Sequence, residues 1–145
     1  MRLVAATPKD ARALARILSD WIDETPWMPD LHTPEEDERF LHHLITRNDV
    51  TVLQNWRGAQ GFMAQDGQKI HALYLRPQAR GRGHGARLLD RAKSQSARIE
   101  LWTFQANTGA RAFYAREGFR EVEFTDGAGN DEKQPDVRLV WEQDT

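Results

Sequence analysis

The chain contains no cysteine. Disulfides, thiolate metal sites and a catalytic thiol are therefore excluded, and an acyl group could not pass through an acyl-cysteine. The absence also suits a reducing compartment, and the cytoplasm is the expected location. Long apolar runs are missing as well. None approaches the ~20 residues that span a bilayer. The stretch Met1-Arg2-Leu3-Val4-Ala5-Ala6-Thr7-Pro8 lacks the sustained apolar region of a signal peptide, so no membrane partner is expected. Net charge is small: 20 Lys and Arg against 22 Asp and Glu leave a formal charge of -2. That balance argues against nucleic-acid binding through bulk electrostatics. His42 and His43 form no His-Glu-x-x-His pattern and do not share a helical face, so no metal site is expected. What is present, 39% hydrophobic and 29% charged residues over 145 positions, is the composition of one globular domain, residues 1–145. Such a chain can bury a core without disulfides or a structural metal.

Periodicity orders the chain. Arg2 to Ala6 reads as a short strand, and Thr7-Pro8-Lys9-Asp10 supplies an N-cap, a proline at the first helical position and an early acid. Leu14, Ile17, Leu18, Trp21 and Ile22 then recur at helical spacing as a buried stripe, with Arg12, Arg16, Asp20 and Asp23 facing water. Two prolines break Thr25-Pro26-Trp27-Met28-Pro29-Asp30-Leu31-His32, a candidate substrate-facing lid. Thr33-Pro34-Glu35-Glu36 is a capping box, followed by Phe40, Leu41, Leu44 and Ile45 as the apolar face of a second helix. From Val50 three strands are expected, Val50–Gln54, Ala59–Ala64 and Lys69–Leu75, joined by turns at Arg57-Gly58 and Asp66-Gly67 as an antiparallel meander. A helix to about Gln95, a strand Arg98–Phe104, a helix from Asn107 and strands Arg120–Phe124 and Val137–Trp141 complete the order. It indicates an α/β fold, a mixed central sheet of about seven strands flanked by about four helices.

Between the meander and the third helix lies Gln78-Ala79-Arg80-Gly81-Arg82-Gly83-His84-Gly85-Ala86-Arg87. Alternating glycines let the backbone turn tightly and aim successive N–H groups at an anion, at a helix start whose partial charge favours phosphate. The stretch lacks the Gly-Lys-Ser/Thr ending of a P-loop and the Gly-x-Gly-x-x-Gly of dinucleotide sites. Two other readings stay open: a basic surface turn, and a short RNA-binding arginine-glycine element with salt-sensitive affinity.

Arg80, Gly83 and Gly85, preceded by Leu73-Tyr74-Leu75-Arg76-Pro77, closely resemble the Arg-x-x-Gly-x-Gly/Ala signature of the GCN5-related N-acetyltransferase (GNAT) family. A second segment, Asn107-Thr108-Gly109-Ala110-Arg111-Ala112-Phe113-Tyr114-Ala115-Arg116-Glu117-Gly118-Phe119, resembles that family's Asn-x-x-Ala-x-x-Phe-Tyr-x-x-x-Gly-Phe. The resemblance spans nearly the whole chain, the N-terminal helices by element order alone. It implies a GNAT-type fold and an acetyltransferase using acetyl-CoA as co-substrate. It also implies that Arg80, Gly81, Arg82, Gly83, His84 and Gly85 hold the pyrophosphate, and that the backbone of Leu73, Tyr74 and Leu75 pairs with the pantetheine arm and offers N–H groups to the thioester oxygen. Asn107 and Tyr114 would contact the cofactor, with Tyr114 donating a proton to the departing thiolate.

Residue chemistry completes this picture. A thiolate leaves poorly unless protonated, so a phenol at the sulfur has a purpose. By periodicity alone Tyr114 also suits a core position on the face it shares with Ala110, Phe113 and Glu117. The attacking amine must lose a proton. His71 is the leading candidate base and Glu100 the runner-up, although alternation also places His71 with Leu73 and Leu75 as an edge or core histidine. Direct transfer in a ternary complex is expected, since neither cysteine nor a nucleophile-elbow serine is present. Thr125 to Asp136 is an acidic, turn-rich connection, readable as a solvated hairpin loop; in the family fold it borders the acceptor site. Trp27, His32, Asp126 and Asn130 are the candidate substrate-binding residues, favouring a small cationic amine. A protein N-terminus or lysine as acceptor, and a non-catalytic acyl-CoA sensor, are the alternatives. A homodimer is compatible with the sequence, which does not encode a legible oligomeric state.

Overall fold

A computed structural model describes residues 1–144. Seven strands form one sheet in the order β1-β2-β3-β4-β5-β7-β6. They are β1 (Arg2–Ala5), β2 (Asp49–Asn55), β3 (Gly58–Asp66), β4 (Lys69–Leu75), β5 (Arg98–Phe104), β6 (Arg120–Thr125) and β7 (Asp136–Glu142). Four helices flank it: α1 (Ala11–Asp23), α2 (Pro34–Arg47), α3 (His84–Gln95) and α4 (Thr108–Arg116). No described helix is long and apolar enough to cross a membrane.

Local chemistry explains most boundaries. The Thr7 N–H donates to Asp10 Oδ2 at 2.8 Å, but Pro8–Asp10 forms a 3-10 turn before α1 begins. At α2 the Thr33 hydroxyl accepts from the Glu36 N–H at 3.2 Å and the Thr33 N–H donates to Glu36 Oε1 at 3.0 Å, the reciprocal cap its sequence predicts. Gly58 and Gly67, with φ of 108° and 57°, close the two hairpins of the β2-β3-β4 meander.

Each sheet face has its own core. On one side Leu14, Ile17 and Leu18 of α1 and Leu41 and Leu44 of α2 pack on Val50, Val52, Phe62, Ala64 and Ala72. Full burial contributes about 1.5–3 kcal/mol for each large aliphatic side chain. On the other, Leu88 and Leu89 of α3 and Tyr114 of α4 meet Ile70, Ile99, Leu101, Val137 and Leu139. Two positions depart from the periodic expectation. Phe40 is exposed, because the α2 stripe that reaches α1 passes through Leu41 and Leu44 instead. Trp21 is half-buried and reaches the cleft described below.

Candidate active site

The sheet splits down its middle. β4 and β5 run parallel but pair at Lys69 and Glu100, where the Glu100 N–H donates to the Gln68 carbonyl at 2.7 Å, and no further paired residues join them. The strands part beyond that point and open a cleft of about 690 Å³, walled by His71 to Leu75 on one side and Leu101 to Phe104 on the other. The β4 edge facing this gap has no neighbouring strand, so its main-chain groups can pair with an extended ligand.

At the mouth of the split sits the glycine loop. Gly81 and Gly83 adopt φ of 72° and 83°, and Gly83 caps α3. The N–H groups from Gly81 to Ala86 find no backbone acceptor among the described residues; the first helical bond runs from the Arg87 N–H to the Gly83 carbonyl at 3.1 Å. Unpaired amides at the start of a 12-residue helix form an anion cradle, which fits a pyrophosphate. Gly85 also serves packing, because a Cβ there would lie 2.9 Å from the Phe113 ring and its absence lets α4 approach α3. Arg80 reaches back, its Nε donating to the Leu75 carbonyl at 3.0 Å and its Nη2 to Glu24 Oε1 at 2.5 Å. Arg82 points into solvent. Burial, then the cations Arg87, the N-terminal amine and Arg82, push the His84 imidazole below its ordinary pKa. The charge beside the cradle is therefore carried by the arginines.

Helix α4 supplies the opposite wall. Asn107 Oδ1 accepts from the Ala110 N–H at 3.1 Å, capping the helix, and Gly118 ends it at φ 92°. Ala110, Phe113, Tyr114 and Glu117 all line the cleft, the face their spacing predicts. Tyr114 is buried between Phe113 and Phe119, with ring centroids 5.1 and 5.4 Å away. Burial first, then the neighbouring Tyr74, drives its pKa well above that of a free phenol, so it stays protonated at neutral pH.

His71 does not follow simple alternation. Opposite β3, Ala72 pairs with Ala64 and Ile70 with Gln65, which leaves His71 as the extra residue of a β-bulge. Ile70 and Ala72 accordingly pack in opposite cores, and His71 leaves the row of Leu73 and Leu75. Its side chain is exposed, lines the cleft and places Nε2 3.7 Å from Asp66 Oδ2. Glu100 lies elsewhere. Its Oε2 accepts from Arg98 at 3.2 Å and Arg138 at 3.3 Å, and its Oε1 is 4.0 Å from Lys69, so it neutralises a cationic cluster outside the cleft lining.

The four candidate acceptor residues separate. Trp27 stacks edge-on to Trp21 at 6.0 Å and to Phe104 at 5.7 Å, and lines a cavity of about 440 Å³ adjoining the cleft beside Glu24, Arg80 and Asn107. His32 is instead exposed beside Glu36, 3.8 Å away at the start of α2. Asp126 accepts from the Ala128 N–H at 2.9 Å, and Asn130 spans its loop through bonds to Gln134 at 2.8 and 3.2 Å. These three lie outside both cavities, and the two loop residues organise their own turn. Sequence reading missed Trp21 and Phe104 as wall residues. The signal was Trp21's place at the end of the α1 stripe, next to the proline-broken segment.

A sheet split between two parallel strands, with a glycine-rich helix start at its mouth and a protonated tyrosine at its side, has the shape and free main-chain groups to take a long phosphate-bearing ligand. The chain belongs to the GNAT acetyltransferase family: residues 42–121 match the family model described as Acetyltransferase (GNAT) domain. An uncharacterized N-acetyltransferase of Methanocaldococcus jannaschii is 42% identical over 64 residues, a stretch covering 41% of this chain and 28% of that protein. Apo YjaB from Escherichia coli shares the fold with a TM-score of 0.80 at 22% identity, covering 99% of this chain and 98% of its own. The Salmonella typhimurium protein yncA, solved with its cofactor acetyl-CoA, has a TM-score of 0.76 at 14% identity over 100% of this chain and 95% of its own.

Proposed function

We propose that this chain is an N-acetyltransferase that moves the acetyl group of acetyl-CoA directly onto a primary amine of a small cationic molecule in a ternary complex. The observation that carries this reading is the alignment of three features along one cleft: the unpaired amides of Gly81 to Ala86, the open edge of β4 and the protonated Tyr114. They fit, in that order, a pyrophosphate, an extended pantetheine arm and a departing sulfur. In this mechanism the backbone at Leu73, Tyr74 and Leu75 pairs with the arm, and N–H groups of β4 stabilise the developing oxyanion. The amine nitrogen forms a bond to the thioester carbon. The carbon–sulfur bond then breaks, and the sulfur leaves with the electron pair and takes the Tyr114 proton. His71, at the bulge and open to the cleft, takes the surplus proton from nitrogen, and solvent reprotonates Tyr114. Trp21, Trp27 and Phe104 favour a cation by presenting aromatic faces and edges at the acceptor end.

The test is acetyl-CoA-dependent thiol release across a panel of putrescine, phenethylamine and an alanine-initiated tetrapeptide, with calorimetric binding of acetyl-CoA in parallel. Release with the small amines supports the proposal. Tight binding without release for any amine would favour a sensor instead, and release with the tetrapeptide alone a protein acetyltransferase.

A further inference from the structure

Two phenols enter the cleft from opposite layers of the fold. Tyr114 comes from α4 and belongs to the core beneath α3, whereas Tyr74 lies on β4 and packs into the core of α1 and α2. Its ring sits 5.2 Å from Trp21 and 5.8 Å from Phe62. Both line the same cleft, which they can do because β4 and β5 separate past Lys69 and Glu100. Among the described residues no buried side-chain polar atom lacks a hydrogen-bond partner, and neither phenol oxygen is bonded to another side chain, so both hydroxyls open onto the cleft. Packing against Trp21 and Phe62 would be served equally by phenylalanine. A hydroxyl in that apolar wall is costly unless it meets a partner.

The Tyr74 phenol is held in its protonated form. Burial first, then the carboxylate of Glu132, pushes its phenol up to about 12. Glu132 belongs to the connection between β6 and β7, which is held in one shape. Gln105 Nε2 ties its two ends together at 3.0 Å from both the Thr125 and Asp136 carbonyls, and Lys133 Nζ is occupied by the Ala128 carbonyl at 2.8 Å. Gly127, at φ 83°, has the backbone of Gln134 within 2.3 Å of where a Cβ would stand. Gln105 directly follows Phe104, a wall residue of the cleft. Glu132 itself is half-buried and has no ion-pair partner among the described residues.

We propose that Tyr74 is a further catalytic residue of the transfer: its hydroxyl accepts a hydrogen bond from the incoming amine and orients the nitrogen lone pair toward the thioester. The acceptor class is thus an amine that arrives as an ammonium against the Trp21 and Tyr74 rings. This inference rests on the acetyltransferase reading. Tyr74 keeps its own proton throughout: the surplus proton of nitrogen goes to His71, and the sulfur takes that of Tyr114.

Tyr74→Phe preserves the ring and its packing. With the same amine panel, kcat/KM should fall roughly ten- to hundredfold, the loss of a hydrogen bond to a charged or charging group, while acetyl-CoA affinity stays within about twofold. Tyr74→Phe turning over every amine as the wild type does would overturn the inference and leave the acetyltransferase reading intact. So would an acetyl-CoA affinity that falls as far as turnover, because the hydroxyl would then serve the donor. Wild-type protein that releases no thiol with any amine would overturn the reading and the inference together.

Discussion

Replacing Gly83 by valine asks whether the cradle works through backbone geometry or through its arginine charge. Gly83 holds φ 83° and ψ 3° at the cap of α3, and a Cβ built on it meets nothing within 4 Å. The substitution therefore introduces no clash, and its cost is conformational. A left-handed conformation costs an L-residue about 1–2 kcal/mol, and a β-branched side chain stands at the upper end. The unliganded loop can escape that strain by leaving positive φ, which turns the amides of His84 to Ala86 away from a common point. Rebuilding the cradle around acetyl-CoA must then restore the strain, so affinity should fall at least roughly five- to thirtyfold. Arg82→Ala removes an exposed cation with no ion pair among the described residues, and should cost at most about fivefold. Salt separates the two further, because the Arg82 contribution is screened and the Gly83 contribution is not. The assay is calorimetric titration of acetyl-CoA at low and high ionic strength, with thermal melting of each variant. Gly85→Ala serves as the packing control: its Cβ would press on Phe113, so it should lower the melting temperature, by about 1–3 kcal/mol of stability. Equal losses in Gly83→Val and Arg82→Ala, or a salt-dependent loss in Gly83→Val, would refute the argument.

Tyr114→Phe keeps the contacts with Phe113 and Phe119 and removes the hydroxyl proposed as the proton donor. Turnover should drop by about a hundredfold or more, with acetyl-CoA affinity retained, in steady-state and binding assays. His71→Ala should lower kcat/KM by roughly tenfold or more while sparing acetyl-CoA affinity; unchanged turnover would assign the base to water. The two tyrosines also make an alkaline prediction. Their folded pKa values lie above the unfolded value of about 10, so from that pH upward the folded state holds protons that the unfolded chain releases. Stability is complete below pH ~10 and falls as pH rises toward 12, by up to about 1.4 kcal/mol per unit for each tyrosine. Urea unfolding at about pH 9 and about pH 11 should show this slope, and the double Phe variant should flatten it.

Sequence alone determined what depends on a few neighbouring residues. The Thr33 to Glu36 box, the hairpin turns at Gly58 and Gly67, the glycine-rich approach to α3 and the helix beginning at Asn107 were legible, because capping and left-handed backbone are decided within one helical turn. The two GNAT-like segments belong to the same category. Tertiary structure decided the rest. No local pattern places β7 between β5 and β6, or makes β4 and β5 part after one paired position, since strand partners are chosen by packing between distant segments. The bulge at His71 arises from pairing with β3, and it reverses the faces that alternation assigns on its two sides. Residue type made Glu100 a candidate base and His32, Asp126 and Asn130 candidate acceptor contacts, but their neighbours in space engage them in ion pairs and turns. Tyr74 and Tyr114, 40 positions apart and rooted in different cores, open onto one cleft because the sheet divides between them.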